Sequence, residues 1–392
     1  MKVATILFTY HRSRHTAQVL NGLKENYVLP EMLFVFQDGL KDGEDRAEWD
    51  KVNALIHNID FCPTELVVAK RNKGLANSIR EGVSSVFEKY DAVIVLEDDC
   101  VPSKNFINFM LQSLEHYRAV KHVYSVAGYA MPTGLKKKDD VDVYAAGRGE
   151  SLGWGTWKDR WLYYSVDDKL LERILSDPSN SIYLAEWGKD LIGMFLAQAS
   201  GKIDSWAVYW DLTIIEQKGI CVRPFQSHIK NIGFDGSGTH SGNDINSPYA
   251  TVALETQNYR KYRYPEDIQL RKETKIAFAS VLGIGSYAAL RNDESLPSVW
   301  IYGLGDFYMR YEEKICQQFY IKGFVDRNKS GYFAGLPIIK PEKLSKSFQE
   351  KIIIMLADER ERNKVRNYLI DIIGIAKDYI ISIQTVTNLM PQ

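Results

Sequence analysis

Short apolar runs alternate with stretches of helical spacing over the first hundred residues, and no other feature limits the fold as much. Val3 to Phe8 reads as a buried strand, Thr16 to Glu25 as a helix, Met32 to Phe36 as a second strand and Glu65 to Val68 as a third. Gly74 to Tyr90 has helical spacing, and Ala92 to Leu96 is a fourth strand. Strands alternating with helices imply βαβ units and an α/β fold built on a mainly parallel sheet. In such sheets ligands sit beyond the carboxyl ends of the strands. Thr9 to Arg12, Gln37-Asp38-Gly39 and Glu97-Asp98-Asp99 all fall at those ends.

The chain has 392 residues, enough for two or three domains. Its formal net charge of -1 argues against a dedicated nucleic-acid binder, which carries a basic excess. The four cysteines form no C-x-x-C pair, which weighs against zinc-finger and dithiol-redox readings and fits a reducing compartment. The N-terminal apolar run is too short for a signal-peptide core, and no stretch approaches the ~20 apolar residues of a transmembrane helix. The expected setting is the cytoplasm, with peripheral association at the inner face of the plasma membrane.

Three domains are expected: residues 1–245, a helical connector over 246–296, and 297–392. Six of the eight tryptophans fall between 120 and 245. The connector helix is expected from Leu254 to Arg291. A second βαβ pattern follows Pro297: Val299 to Tyr302, a helix to Gln318, Ile321 to Val325, Ile352 to Leu356 and a terminal helix. Its first turn carries Gly303-Leu304-Gly305, and Asp326 ends the next strand near the offset of a ribose-binding acid. Tyr308 stands where a third glycine would be expected. Nucleotide binding by Gly303, Gly305 and Asp326 and a role in packing or homo-oligomer formation stay open as alternatives.

The segment DAVIVLEDDCVPSKN carries the chemistry. A buried strand delivers Glu97, Asp98 and Asp99 in succession, and three adjacent anions repel one another. A divalent cation relieves that repulsion, and oxygen ligands suit Mg²⁺ or Mn²⁺. The competing reading is an acidic cap for a helix beginning near Ser103.

Taken together, these pieces resemble a nucleotide-sugar glycosyltransferase of the GT-A fold, similar to the group containing N-acetylglucosaminyltransferase I and bacterial surface-polysaccharide transferases. The matching segments, over residues 1–245, keep the family's order: Phe8 to Arg12, Gln37-Asp38-Gly39, Lys70 to Ala76, Leu96 to Asp99, Gly153-Trp154, Trp210-Asp211 and Val222-Arg223-Pro224. The C-terminal part resembles small Rossmann-like domains of carbohydrate enzymes.

The resemblance implies a metal-dependent, inverting transfer of a sugar from a nucleoside-diphosphate donor, UDP first, to a glycan or lipid-linked acceptor in bacterial surface polysaccharide or lipopolysaccharide synthesis. Asp99 would hold the metal, and Asp98 would contact the ribose or a metal-bound water. Thr9, Tyr10, Arg12, Asp38 and Arg71 would line the nucleotide site, with Tyr10 packed on the base and Arg12 on phosphate. Asp211 would be the base, among aromatic residues, with Glu150 and Asp159 in reserve. Gly153, Trp154 and Trp210 would face the sugar. The loop NIGFDGSGTHSGND suits closure over a donor, and His240 would be a further metal ligand. The alternatives are a nucleotidyltransferase, disfavoured by the lack of glycine in TYHRSRH, and a non-catalytic sugar-nucleotide-binding scaffold.

Overall fold

A computed structural model of the protein describes residues 1–137, 140–238, 244–282, 285–286, 288, 292–381 and 383. The chain forms two compact units, each discontinuous in sequence.

The first unit comprises Met1–Ser165 and Gly201–Thr274. It begins β1 (Val3–Thr9), α1 (Ser13–Lys24), β2 (Leu33–Gln37), α2 (Arg46–His57), β3 (Thr64–Val68), α3 (Leu75–Val86) and β4 (Ala92–Glu97). It continues β5 (Cys100–Pro102), α4 (Phe106–Tyr117), β6 (Val123–Ala127), β7 (Val143–Ala146), β8 (Trp154–Trp157) and α5 (Lys158–Trp161). Helices α6 (Leu170–Ser176), α7 (Pro178–Trp187) and α8 (Leu191–Ala199) belong to the other unit. The chain then returns as α9 (Trp206–Glu216), β9 (Ile220–Pro224) and β10 (Ile229–Asn231).

The eight-stranded sheet has the order β3-β2-β1-β4-β8-β6-β9-β7. β1 to β4 are mutually parallel, β8 runs antiparallel to β4 and β6, and β7 is an antiparallel edge. All seven residues of β1 are buried, as a central strand covered on both faces requires. Val3 and Leu7 pack with α1, α2 and α4; Ala4, Ile6 and Phe8 pack with α3 and α9. Each of the larger of these buried side chains stabilises the fold by about 1.5–3 kcal/mol. The expected α/β fold with a mainly parallel sheet is therefore present.

Trp154, Trp157 and Trp161 have helical spacing, but Trp154 and Trp157 lie on β8, and only Trp161 is helical. Two expectations are also corrected. The helical connector begins far later than Leu254, since only Lys272–Leu282 (α10) is helical among the described residues of that stretch. The backbone over 257–262 is instead held outside any helix by side chains of α4 and its cap. Asn105 donates to the carbonyls of Gln257 (2.9 Å) and Asn258 (3.1 Å), Asn108 to that of Arg260 (2.9 Å), and Gln112 accepts from the Tyr262 amide (3.0 Å). Backbone so occupied cannot close helical i→i−4 bonds. Finally, residues 166–200, placed by sequence in the first domain, belong to the second unit.

That unit comprises Val166–Ser200 and Lys275–Gln392. After α10 come β11 (Ser298–Tyr302), α11 (Asp306–Cys316), β12 (Tyr320–Val325), β13 (Gly331–Phe333), β14 (Leu336–Ile339), β15 (Ile352–Ile354), α12 (Glu359–Asn367) and β16 (Ile380–Ile381). The sheet order is β13-β14-β12-β11-β15-β16, parallel except for β13. A buried polar knot explains why residues 166–200 join it. The Glu312 carboxylate of α11 is fully buried and accepts from Lys189 Nζ (3.1 Å), Tyr308 Oη (3.1 Å), the Ala288 amide (3.1 Å) and Ser286 Oγ. Nothing in the sequence spacing points to a partnership between Lys189 and Glu312.

Candidate active site

The carboxyl ends of β1, β2 and β4 open onto a cavity of about 340 Å³. β1 hands over Thr9, Tyr10, His11 and Arg12; β2 hands over Asp38; β4 hands over Glu97, Asp98 and Asp99. The chain after β10 adds Ser237 and Gly238, and the approach to α9 adds Asp204, Ser205 and Trp206. The strongest sequence motif and the first strand end therefore meet in one site.

The acids do not cap α4, which has Asn105 at its N-cap and no side-chain capping bond. Asp98 and Asp99 are held by Arg12. Its Nε lies 3.3 Å from Asp98 Oδ2, and its Nη2 bonds Asp98 Oδ1 and also Asp99 Oδ2 at 3.0 Å. Nη1 of Arg12 and Nδ1 of His11 are buried without a hydrogen-bond partner among the described residues. Burial pushes the Glu97 carboxyl up to about 8, and the charges of Asp99 and Asp98 add to the shift. Burial raises Asp98 as well, against the pull of Arg12. Burial also lowers the His11 imidazole from its ordinary value.

Among the described lining residues, six acids (Asp38, Glu44, Glu97, Asp98, Asp99, Asp204) stand against two permanent cations, Arg12 and Lys41. Among the described residues no three His, Cys, Asp or Glu side chains already converge as a metal cage. The oxygen donors and the excess of acids over cations in the described lining nonetheless fit a hard divalent cation.

Asp38 is committed to the backbone. Its carboxylate accepts from the amides of Gly39 (2.8 Å), Lys73 (2.9 Å) and Gly74 (3.0 Å), pinning the loop after β3 to the end of β2. Little acceptor capacity remains for a base. Thr9 donates its hydroxyl to the Phe36 carbonyl at 3.3 Å. Tyr10 keeps its ring at the cavity, but its hydroxyl is taken up by Glu44 and by the Lys41 amide at 3.0 Å. Arg71 is exposed and does not line the cavity, and Lys73 pairs with Glu81 at 2.8 Å.

The expected sugar-side residues lie elsewhere. Trp154 and Trp210 are 0% and 1% exposed in the core, Trp154 stacked with Trp161 and Trp206 and Trp210 tilted against Trp161, so neither presents a face to a sugar. Gly153 lends its carbonyl to the Gly128 amide at 2.6 Å. Asp211 lies within α9, a turn past its start, ion-paired to Arg148 at 3.0 Å; Glu150 pairs with Arg223 at 2.7 Å. None of these five lines the cavity. The reserve acid Asp159 pairs with Arg160 and Lys121, both at 2.7 Å. His240 lies outside the described residues.

Sequence reasoning missed Asp204 and Trp206. Asp204 accepts from the Ala76 amide (3.3 Å) at the start of α3, and Trp206 Nε1 points to Glu97 Oε1 (3.4 Å). The signal was there: Asp204-Ser205 precedes an apolar helical run, the pattern of a helix start. A larger cavity of about 420 Å³, between Ala130–Leu135 and Pro248–Ala253, has no charged side chain and none of the acids among its described lining residues.

In the second unit, the turn after β11 is closed upon itself. Gly303 takes φ +101°, and a Cβ there would lie 2.9 Å from the Met355 carbonyl oxygen. Asp326 accepts from the amides of Leu304 (2.9 Å), Asn328 (2.8 Å) and Lys329 (2.9 Å), and Lys329 Nζ donates to the Leu304 carbonyl at 2.7 Å. The acid expected to meet a ribose is thus spent on the turn. Gly305 precedes α11 with open space around it.

No family model matches the sequence, and no curated protein sequence does. Among solved structures, the chain is similar to a mannosyltransferase from Pyrobaculum calidifontis in complex with GDP-Man and Mn²⁺, at 14% identity over 44% of this chain and 46% of that one, with a TM-score of 0.28. It is also similar to S. aureus TarS, at 12% identity over 58% of this chain and 36% of that one, and to TarS 1–349 in complex with UDP-GlcNAc, at 12% over 58% of each; both TM-scores are 0.34. The chain covers less than two thirds of the length of each of these structures.

Proposed function

We propose that the first unit is a metal-dependent glycosyltransferase that takes a sugar from a nucleoside-diphosphate donor, UDP first, to a hydroxyl of a glycan or lipid-linked acceptor, with inversion at the anomeric carbon. One observation carries the reading: a cavity at the carboxyl ends of parallel strands, whose described lining holds six acids and two permanent cations. A polyanionic diphosphate enters such a site only in company with a divalent cation. The resemblance over residues 1–245 supplies the sugar chemistry, and bacterial surface polysaccharide or lipopolysaccharide is the setting it suggests.

Asp99 and Asp98 would hold Mn²⁺ or Mg²⁺, which when bound offsets the diphosphate charge. Arg12 is the cation nearest to that position, and its planar fork suits a phosphate. Thr9, Tyr10 and His11 form the wall beside it, with Tyr10 giving the nucleoside a ring to lie against. In the transfer, the acceptor oxygen bonds the anomeric carbon, the bond from that carbon to the phosphate oxygen breaks, and the acceptor proton passes to a carboxylate. The resemblance gives that proton to Asp211. Asp204 is favoured by a different observation, its place on the cavity wall. Asn replacements separate them: the base variant keeps donor binding and loses transfer by two or more orders of magnitude, and the other transfers nearly normally.

The test is calorimetric binding of UDP, GDP and their sugar conjugates with Mn²⁺, Mg²⁺ or chelator. Binding should require the cation and weaken at least a hundredfold in Asp99→Asn. Chelator-insensitive binding overturns the assignment.

A further inference from the structure

Arg12 and the acids share one point in space. Nη2 of Arg12 bonds Asp98 Oδ1 and Asp99 Oδ2 together, the latter at 3.0 Å, so both carboxylates already turn an oxygen toward a single atom. A divalent cation bound by the same two oxygens, at about 2.0–2.2 Å, needs the place that nitrogen fills. The guanidinium is poorly served there. Asp98 takes two of its donors, yet Nη1 has no partner among the described residues. Arg12 is the N-cap of α1, so its side chain can turn into the cavity without unwinding an element.

We propose, resting on the reading above, that Arg12 is a resident counter-ion at the cation seat: it and the divalent cation exclude one another at Asp98 and Asp99, and cation entry releases the guanidinium toward the donor diphosphate. The two steps are then coupled. Without a cation, the acids are neutralised by a side chain that is unavailable to phosphate. With it, the acids are served by two positive charges and Arg12 is set free. Only Lys41 offers another permanent cation on the described lining, which makes that release count.

The experiment titrates Mn²⁺ alone, without nucleotide, into the full chain and follows free Mn²⁺ by electron paramagnetic resonance. Arg12→Gln keeps a hydrogen-bonding head but removes the charge, and should bind Mn²⁺ at least tenfold more tightly than the wild type. Arg12→Lys, which reaches one carboxylate at a time, should fall between them. Asp99→Asn should lose the site. If Arg12→Gln does not fold, Arg12→Lys against wild type decides, since tighter binding there supports exclusion. Equal or weaker Mn²⁺ binding on loss of Arg12 overturns the exclusion while leaving the metal reading standing. No Mn²⁺ binding by any variant overturns both.

Discussion

At the residue scale, burial decides which ionisable groups matter. His228 stacks on Phe109 with ring centroids 4.5 Å apart, shares a hydrogen bond with Ser103 (3.1 Å), and is held neutral, its imidazole pushed down to about 3 chiefly by burial. The unfolded chain binds a proton at this position near pH 6.5 and the folded chain does not, so stability falls as pH drops through that window. Between pH 7 and 5 the wild type should lose about 2 kcal/mol more than His228→Asn, measured by urea unfolding at both pH values; an equal loss refutes the assignment. Glu97 is displaced the other way by the same cause, because there burial opposes an anion. The sequence announced the three acids by their adjacency. It did not announce Arg12 as their partner, because the 86-residue separation closes only when β1 and β4 pair.

At the element scale, the site depends on loops tied down by single side chains. Asp38 fixes the loop after β3 through three amides, so Asp38→Ala should cost about 1–3 kcal/mol and weaken nucleotide binding beyond what Asp38→Asn does. Thermal unfolding and calorimetry on both variants check this; unchanged stability in Asp38→Ala would show the loop to be held by other means. The first four strands were legible because each is a short apolar run bounded by polar residues, and β1 to β4 form within a residue or two of expectation. β8 was not legible. Trp154, Trp157 and Trp161 have helical spacing, but Gly155 packs against the Val93 carbonyl, where a Cβ would sit 2.8 Å away, and antiparallel pairing with β4 overrides the local pattern. The stretch from 255 to 264 failed similarly: the α4 side chains that capture its backbone stand some 150 residues earlier. In each case the deciding partner is distant in sequence, and no periodicity records it.

At the scale of the whole molecule, neither unit is continuous in the chain. The Glu312 knot draws Lys189, Ser286 and Ala288 onto α11. Glu312→Ala should therefore destabilise the second unit by about 3–5 kcal/mol, because it strands a buried ammonium. A calorimetric scan checks this, with Glu312→Gln expected to lose less; a cost below 1 kcal/mol would show the knot to be incidental. The interleaving also has a bearing on how the polypeptide is made. During synthesis, helices α6 to α8 emerge more than a hundred residues before β12, and they must wait with apolar surface uncovered while the intervening chain is translated. A fragment ending near residue 245, the boundary the linear pattern suggests, would keep those helices and discard the strands they belong with. Expressed alone it should be sticky and chaperone-dependent, whereas replacing 166–200 with a short flexible bridge should restore a well-behaved first unit.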